Sequence, residues 1–332
     1  MKADPPARSR RRRLRPDPGD RQTRDHAGRP GSSRQSVRAA DYRSSGSFQR
    51  AKASLWCWSS LKVIPFNNAC QLLHLQYGGS SLSEQCEVMP ITREIDVWLM
   101  SLFDISADLE NMYLACLNES ERVRLKSTTV PTFRQQYLMS RVMVRTTLSR
   151  YANVPPVDWE FRSNYYGRPF ISKPISCRDL EFNLSHTSGL IACIVARGAR
   201  YIGVDVEDIE RTIDPKTLAD FAFAPKEIEA LKAAVCNKQR ALFFSYWTLK
   251  EAYIKAKGLG LSIPLDSFWF DLSQSQPRVN FSAQSGDDPG RWQFEHRDIT
   301  ERHKIAVAVS MPAAEQVKLA FHWTTPVTGP KV

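Results

Sequence analysis

The sequence predicts an α+β protein made of two similar α/β halves, preceded by a disordered basic arm. Three observations predict it. Short stretches with period-two apolar positions, such as Ile95-Val97-Leu99 and Ile202-Val204-Val206, alternate with longer helical patterns. Each half then runs from a charged helix face into turn-rich β segments of similar length, which reads as an internal duplication. The excess positive charge is confined to one end. Residues 1–53 carry 15 Lys and Arg against 5 Asp, a net of +10, and the remaining chain has a net of only +1.

That arm holds Arg10 to Arg13 in a row, with many Pro, Gly and Ser and few large apolar residues. Such a composition cannot bury enough surface to offset the entropy of ordering. It could tether the protein to an anionic surface or nucleic acid, or have no role, with Met89 as an alternative start. Residues 54–88 are apolar in places, but Lys62, Pro65 and Asn67-Asn68 interrupt them. No run reaches the ~20 apolar residues of a membrane span, and no signal peptide is recognisable, so the expected location is the cytoplasm. The seven cysteines are odd in number and none has C-x-x-C spacing, which argues against a disulfide framework or a zinc site. The expected division is an extension over 1–90, a first half over 91–199 and a second half over 200–325.

In the first half, Ile95 to Leu99 reads as a strand. Ser106 caps a short helix through Leu117, and Glu119 to Lys126 forms a second, exposed one. A stronger helix spans Thr132 to Tyr151, where Arg134, Arg141 and Arg145 share one face. This is either a solvated basic face or a phosphate grip, since guanidinium donors match phosphate oxygens. Gly167-Arg168-Pro169 is a turn carrying a cation. Ser185 and His186 lie between two strands, Leu180 to Leu184 and Leu190 to Ala196. The nucleophile-elbow pattern G-x-S-x-G is absent, so this pair suits phosphate donation better than nucleophilic catalysis.

In the second half, Tyr201 to Ile209 reads as a strand. Helices start near Asp214-Pro215 and at Pro225, and a long one spans Lys238 to Lys257, stopping at Gly258. Strands follow at Ser262 to Leu272, Arg278 to Phe281, Arg291 to Glu295 and His303 to Met311, and the residues after Thr324 read as a loose tail.

The chemistry concentrates between Tyr201 and Lys257. Asp205 and Glu207 are two apart on a strand and so share one face. Glu251 and Lys255 are one helical turn apart, with Lys250 beside them. Taken separately these could be an acidic strand end and a surface ion pair. Packed together they bring three carboxylates beside two lysines, a set suited to a hard cation holding a substrate phosphate.

Gly203-Val204-Asp205-Val206-Glu207, followed some forty residues later by Trp247-Thr248-Leu249-Lys250-Glu251-Ala252-Tyr253-Ile254-Lys255, resembles the two-part signature of the 4'-phosphopantetheinyl transferases. Tyr166-Gly167-Arg168-Pro169, Phe182-Asn183-Leu184-Ser185-His186-Thr187 and Lys257-Gly258-Leu259-Gly260 resemble further motifs of that family, over roughly residues 95–320. The two-half build is similar to the surfactin-activating (Sfp) type. The resemblance implies two halves about a pseudo-twofold axis, with coenzyme A bound between them. It implies transfer of the phosphopantetheine arm to a serine of an apo acyl or peptidyl carrier protein, releasing 3',5'-ADP.

Carried over residue by residue, the resemblance implies Mg2+ on Asp205, Glu207 and Glu251. Glu251 would also be the base, directly or through water. Lys250 and Lys255 would meet the α/β-phosphates. Ser185 and His186 would meet the 3'-phosphate, and Arg134 and Arg168 the adenine-ribose end, with Arg122 and Arg124 as weaker alternatives. Arg168 stands where many relatives have Lys. The expected partner is an acidic helical carrier domain. A monomer is expected, with neither a membrane nor a nucleic acid as partner. The competing readings are a Mg-dependent phosphohydrolase on small phosphate esters and an anionic-surface or nucleic-acid binder driven by the arm.

Overall fold

A computed structural model describes residues 91–199, 201–310 and 315–325. The expected basic arm, its disorder and the Met89 start lie outside the described residues. The first half runs β1 (Ile91–Ser101), α1 (Ala107–Ala115), α2 (Glu119–Ser127), α3 (Pro131–Leu148), β2 (Glu160–Ser163), β3 (Pro169–Lys173), β4 (Leu180–Thr187) and β5 (Leu190–Arg197). The second repeats that order: β6 (Tyr201–Asp208), α4 (Pro215–Ala222), α5 (Pro225–Ala233), α6 (Cys236–Lys257), β7 (Phe268–Asp271), β8 (Arg278–Phe281), β9 (Trp292–Asp298) and β10 (His303–Ser310). The sheets repeat as well, β1-β5-β4 in one half and β6-β10-β9 in the other, all antiparallel.

One strand breaks the repeat. After β10 the chain crosses back, and β11 (Glu315–Trp323) lies parallel on the outer edge of β1. This strand was not among the sequence expectations, although Val317, Leu319 and Phe321 alternate with polar or small neighbours. Their burial partner, the inner face of β1, is more than two hundred residues away, so local punctuation did not mark the segment as a strand.

The element starts follow local chemistry. Ser106, Asn118 and Asp214 cap α1, α2 and α4 through side-chain oxygens that accept from first-turn amides. Pro131, Pro215 and Pro225 sit at helix starts, where the missing N–H does no harm. Gly258, at φ 65°, ends α6 in the left-handed region.

Two cores result. The inner faces of the sheets meet through Ile95, Val97, Leu99, Ala192 and Ile194 from one and Ile202, Val204, Val206, Ile305 and Val307 from the other. On the opposite face of the first sheet, α3 buries Leu138, Val142 and Met143 against Phe182, Leu184, Ile191, Cys193 and Val195. On the opposite face of the second sheet, α6 lies across β6 and β10. The order of layers is helix, sheet, sheet, helix. No described helix is long and apolar enough to cross a membrane.

The sheets join at one seam without a strand ladder. The edge amides of β6 are taken by side chains of β4. Val204 N–H donates to Asn183 Oδ1 at 2.9 Å, Val206 N–H to Ser185 Oγ at 3.2 Å and Asp208 N–H to Thr187 Oγ1 at 3.1 Å. Buried amides need partners, and the i, i+2, i+4 spacing on β4 supplies them in step with β6.

Candidate active site

The site forms where α6 crosses β6, and the closeness of that crossing is set by small residues. Gly203 faces the helix, and a Cβ there would stand 2.5 Å from the Ala256 nitrogen and closer still to the Ala252 carbonyl oxygen. Ala306 and Ala308 are its neighbours across β10, opposite Asp205 and Gly203. With nothing larger than a methyl group between them, helix and sheet backbones approach closely, and the next residues along each element meet.

Those residues are Asp205, Glu207, Glu251 and Lys255. The first three are buried at 4%, 7% and 5% exposure, too little for ordinary surface carboxylates. Lys255 Nζ donates to Asp205 Oδ1 at 2.6 Å and to Ser185 Oγ at 2.7 Å, and Ser185 Oγ itself donates to Asp205 Oδ1 at 2.9 Å. Glu207 accepts from Arg211 at both oxygens, 3.1 and 2.9 Å, and from the Trp247 indole at 3.1 Å. Two carboxylate oxygens are buried without a hydrogen-bond partner: Asp205 Oδ2 and Glu251 Oε1.

Burial raises all three acids above the usual carboxylate range, and repulsion from Asp205 adds to it for Glu207 and Glu251. Glu251 is pushed up to about 8, first by burial and then by Asp205. Glu207 is pushed up to about 7 by the same two causes. Burial raises Asp205, opposed by Lys255 and the Ser185 hydroxyl. Three acids in one buried place cannot all ionise cheaply without added positive charge. Two orphaned acceptors, an all-oxygen donor set and this unmet charge fit a hard divalent cation. Among the described residues no group of three or more His, Cys, Asp or Glu side chains is placed to hold a metal ion in this structure.

The remaining expected site residues fall elsewhere. Lys250 turns away from the acids. Its amine is buried against Glu227 at 2.8 Å and donates to the carbonyls of Leu265 and Phe268 at 2.7 and 2.6 Å. This corrects the expectation that it meets a phosphate, because successive helix positions point about 100° apart and Lys250 takes the direction that faces β7. Arg168 donates to the carbonyls of Lys255 and Ala256 at 2.6 and 2.5 Å and pairs with Glu181 at 3.2 Å. It caps the C-terminal end of α6.

Ser185 lies with Asp205 and Lys255 and not at a separate nucleotide end. His186, next to it on β4, is lowered to about 4 by burial and by Lys255, so its ring is neutral at pH 7. Arg134 is half-exposed and paired with Glu110 at 2.7 Å. The shared basic face of α3 does not act as one unit. Arg145 is fully buried against Glu121, while Arg124 and Arg141 lie over the Tyr137 ring at 5.4 and 5.6 Å. Arg122 donates through Nε to the Leu114 carbonyl at 3.0 Å.

Sequence reasoning passed over Gly203, Arg211 and the Trp247 indole. Gly203 left a signal: a glycine inside a strand marks a close backbone approach. Arg211 left none, because it lies in an irregular segment.

Residues 201–308 match the family model described as "4'-phosphopantetheinyl transferase superfamily", and residues 106–198 match "4'-phosphopantetheinyl transferase, N-terminal". The 4'-phosphopantetheinyl transferase HetI of Nostoc sp. is 31% identical over 187 residues, covering 56% of this chain and 78% of that protein. The 4'-phosphopantetheinyl transferase Sfp of Bacillus subtilis is 30% identical over 175 residues, covering 53% and 74%. The 4'-phosphopantetheinyl transferase gsp of Aneurinibacillus migulanus is 37% identical over 139 residues, covering 42% and 55%.

Proposed function

The chain belongs to the 4'-phosphopantetheinyl transferase superfamily, in its Sfp type, and from that premise we propose how its own residues carry out the transfer. The enzyme moves the phosphopantetheine arm of coenzyme A to a serine of a carrier protein. The serine oxygen bonds to the β-phosphorus of the pyrophosphate. The bond from that phosphorus to the bridging oxygen breaks, and 3',5'-ADP leaves. Such a step is catalysed by positioning and by stabilising negative charge.

The observation that supports a metal-assisted centre is the pair of unpartnered carboxylate oxygens on Asp205 and Glu251. In this reading Asp205, Glu207 and Glu251 hold Mg2+. The ion supplies charge stabilisation against the pyrophosphate oxygens. Arg211 and the Trp247 indole fix the Glu207 carboxylate, and Ser185 fixes Asp205. Lys255, whose side chain like that of Arg211 keeps appreciable exposure, takes up charge developing on the 5'-phosphate of the leaving 3',5'-ADP. Glu251 accepts the serine proton, directly or through water. His186, neutral, has an N–H to offer the 3'-phosphate, and Arg134 can exchange its half-buried Glu110 for the nucleotide.

We read the setting as a monomer in the cytoplasm, with repeats over 91–199 and from 200 onward. The test is to incubate the protein with coenzyme A, Mg2+ and several apo carrier proteins and weigh the carriers. A gain of one phosphopantetheine on a carrier is expected. No gain on any carrier, with phosphate released from small esters, would replace this reading with a phosphohydrolase.

A further inference from the structure

Each half of the fold contains the same buried ion clamp. In the first half Glu121 is the third residue of α2. Its carboxylate accepts from the backbone of Asn118, the N-cap residue, at 3.3 Å and from Arg145 at 2.8 Å. Arg145 is the fifteenth residue of α3, and it donates onward to the carbonyls of Pro156 and Trp159 at 2.6 and 2.9 Å, just before β2. In the second half Glu227 is the third residue of α5. It accepts from the backbone of Ala224, again the N-cap residue, at 3.0 Å and from Lys250 at 2.8 Å. Lys250 is the fifteenth residue of α6, and it donates onward to the carbonyls of Leu265 and Phe268 at 2.7 and 2.6 Å, where β7 begins. Both cations lie over an aromatic ring of the hairpin that follows, Phe161 at 5.2 Å and Phe268 at 4.4 Å. Both are fully buried, at 0% and 1% exposure.

The first-half clamp has no carboxylate cluster to serve. Two β1 side chains that correspond to Asp205 and Glu207, counted from the ends of the β1–β5 and β6–β10 ladders, are Trp98 and Met100. A device present in the half without the cluster belongs to the scaffold. We infer that Lys250, with Glu227, is a positioning residue: it anchors α6 to α5 and β7, sets where Glu251 and Lys255 stand over β6, and does not touch the substrate phosphates. This rests on the Asp205–Glu251 cluster being the transfer centre. The Glu227–Lys250 pair has every donor and acceptor engaged, whereas Arg145 Nη2 in the first-half clamp has no hydrogen-bond partner, and a fully engaged buried pair is well suited to fixing one packing arrangement.

The test uses the full chain with coenzyme A, Mg2+ and an apo carrier protein. Glu227→Gln, Lys250→Met, Lys250→Arg, the Glu227→Gln/Lys250→Met double variant and Glu121→Gln are compared well below their melting midpoints, followed by circular dichroism. Glu227→Gln and Lys250→Met are each expected to lower kcat roughly 10- to 100-fold, because small displacements of reacting groups are costly. The KM for coenzyme A should stay within about twofold, and the double variant should be no worse than either single one, as for groups acting as a unit. Lys250→Arg should recover part of kcat, since Arg145 fills the same role. Glu121→Gln should lower the midpoint and leave kcat of the folded protein unchanged.

If Glu227→Gln stays fully active while Lys250→Met raises the KM for coenzyme A about tenfold or more, Lys250 meets the phosphate directly and the inference is wrong. It is equally wrong if Glu121→Gln lowers kcat as much as Glu227→Gln, or if neither clamp variant changes kcat. Should Lys250→Met not fold, Glu227→Gln against Glu121→Gln still decides. Full transfer by Asp205→Asn would instead overturn the site assignment, which separates the two failures.

Discussion

The two halves share one order of elements and one sheet plan, yet only the second carries the acidic cluster. Where β6 presents Asp205 and Glu207 toward its helix, β1 presents Trp98 and Met100. Where β10 places Ala306 and Ala308 beneath α6, β5 places Cys193 and Val195 on the α3 side. The first half therefore fills its helix–sheet interface with larger side chains, mostly apolar, with Asp96 at the place of Gly203. The second has no side chain at Gly203 and only methyl groups at Ala306 and Ala308, and the space so freed lets α6 settle close enough for Glu251 and Lys255 to reach β6. The difference teaches that in this fold the chemistry comes from small residues as much as from acidic ones. The acids matter only because the backbone can approach.

The sharpest way to break that comparison is to strip the acids. Asp205→Ala and Glu251→Gln should each lose about 10²–10³-fold in transfer rate while staying folded, read by carrier mass and circular dichroism. Met100→Leu, at the matching place in the first half, should leave the rate unchanged. Full activity in both acid variants would end the claim that the second half is the centre.

Next comes the metal. Mg2+ at about a hundred times its dissociation constant should stabilise the wild-type protein by roughly 2.7 kcal/mol, seen as a raised melting midpoint. Asp205→Asn should show little of that shift. An equal shift in the variant would point to a metal elsewhere.

Gly203→Ala should then lower stability by about 1–3 kcal/mol through overpacking against α6, with loss of transfer, in a denaturant titration. A wild-type midpoint and rate would show that the close approach is not needed.

The smallest effect concerns β9, which has no ionisable counterpart facing α3 on β4 at that place. His296 is lowered to about 4 by burial, then by Lys304, against an unfolded value near 6.5. Its folded form resists protonation, so its contribution to stability is present above the unfolded value and lost as pH falls from about 6.5 toward 4, at up to about 1.4 kcal/mol per pH unit. His296→Gln should flatten the pH dependence of unfolding in that window. An unchanged slope would remove His296 as its source.

Much of this was legible beforehand, for a physical reason. Strand and helix periodicity, proline starts and the Gly258 stop act within one turn or one strand, so β6, α3 and α6 were placed to within a few residues. The pairing of Asp205 with Glu207, and of Glu251 with Lys255, also follows from local spacing. Lys250 shows the limit. It sits beside Glu251 in sequence, but its direction is decided by Glu227 on α5 and by the carbonyls before β7. Arg168 likewise looked like a free turn cation and is engaged by the end of α6.

The sequence by itself determined most of the element types, the order of the two halves and the family. These depend on short-range spacing and on motifs read along the chain. The tertiary structure alone decided which partner each buried charge takes, Lys250 with Glu227 and Lys255 with Asp205, and it joined β11 to β1 and β4 to β6. A buried charge takes whichever partner long-range packing brings to it, and that partner cannot be read from its neighbours in the chain.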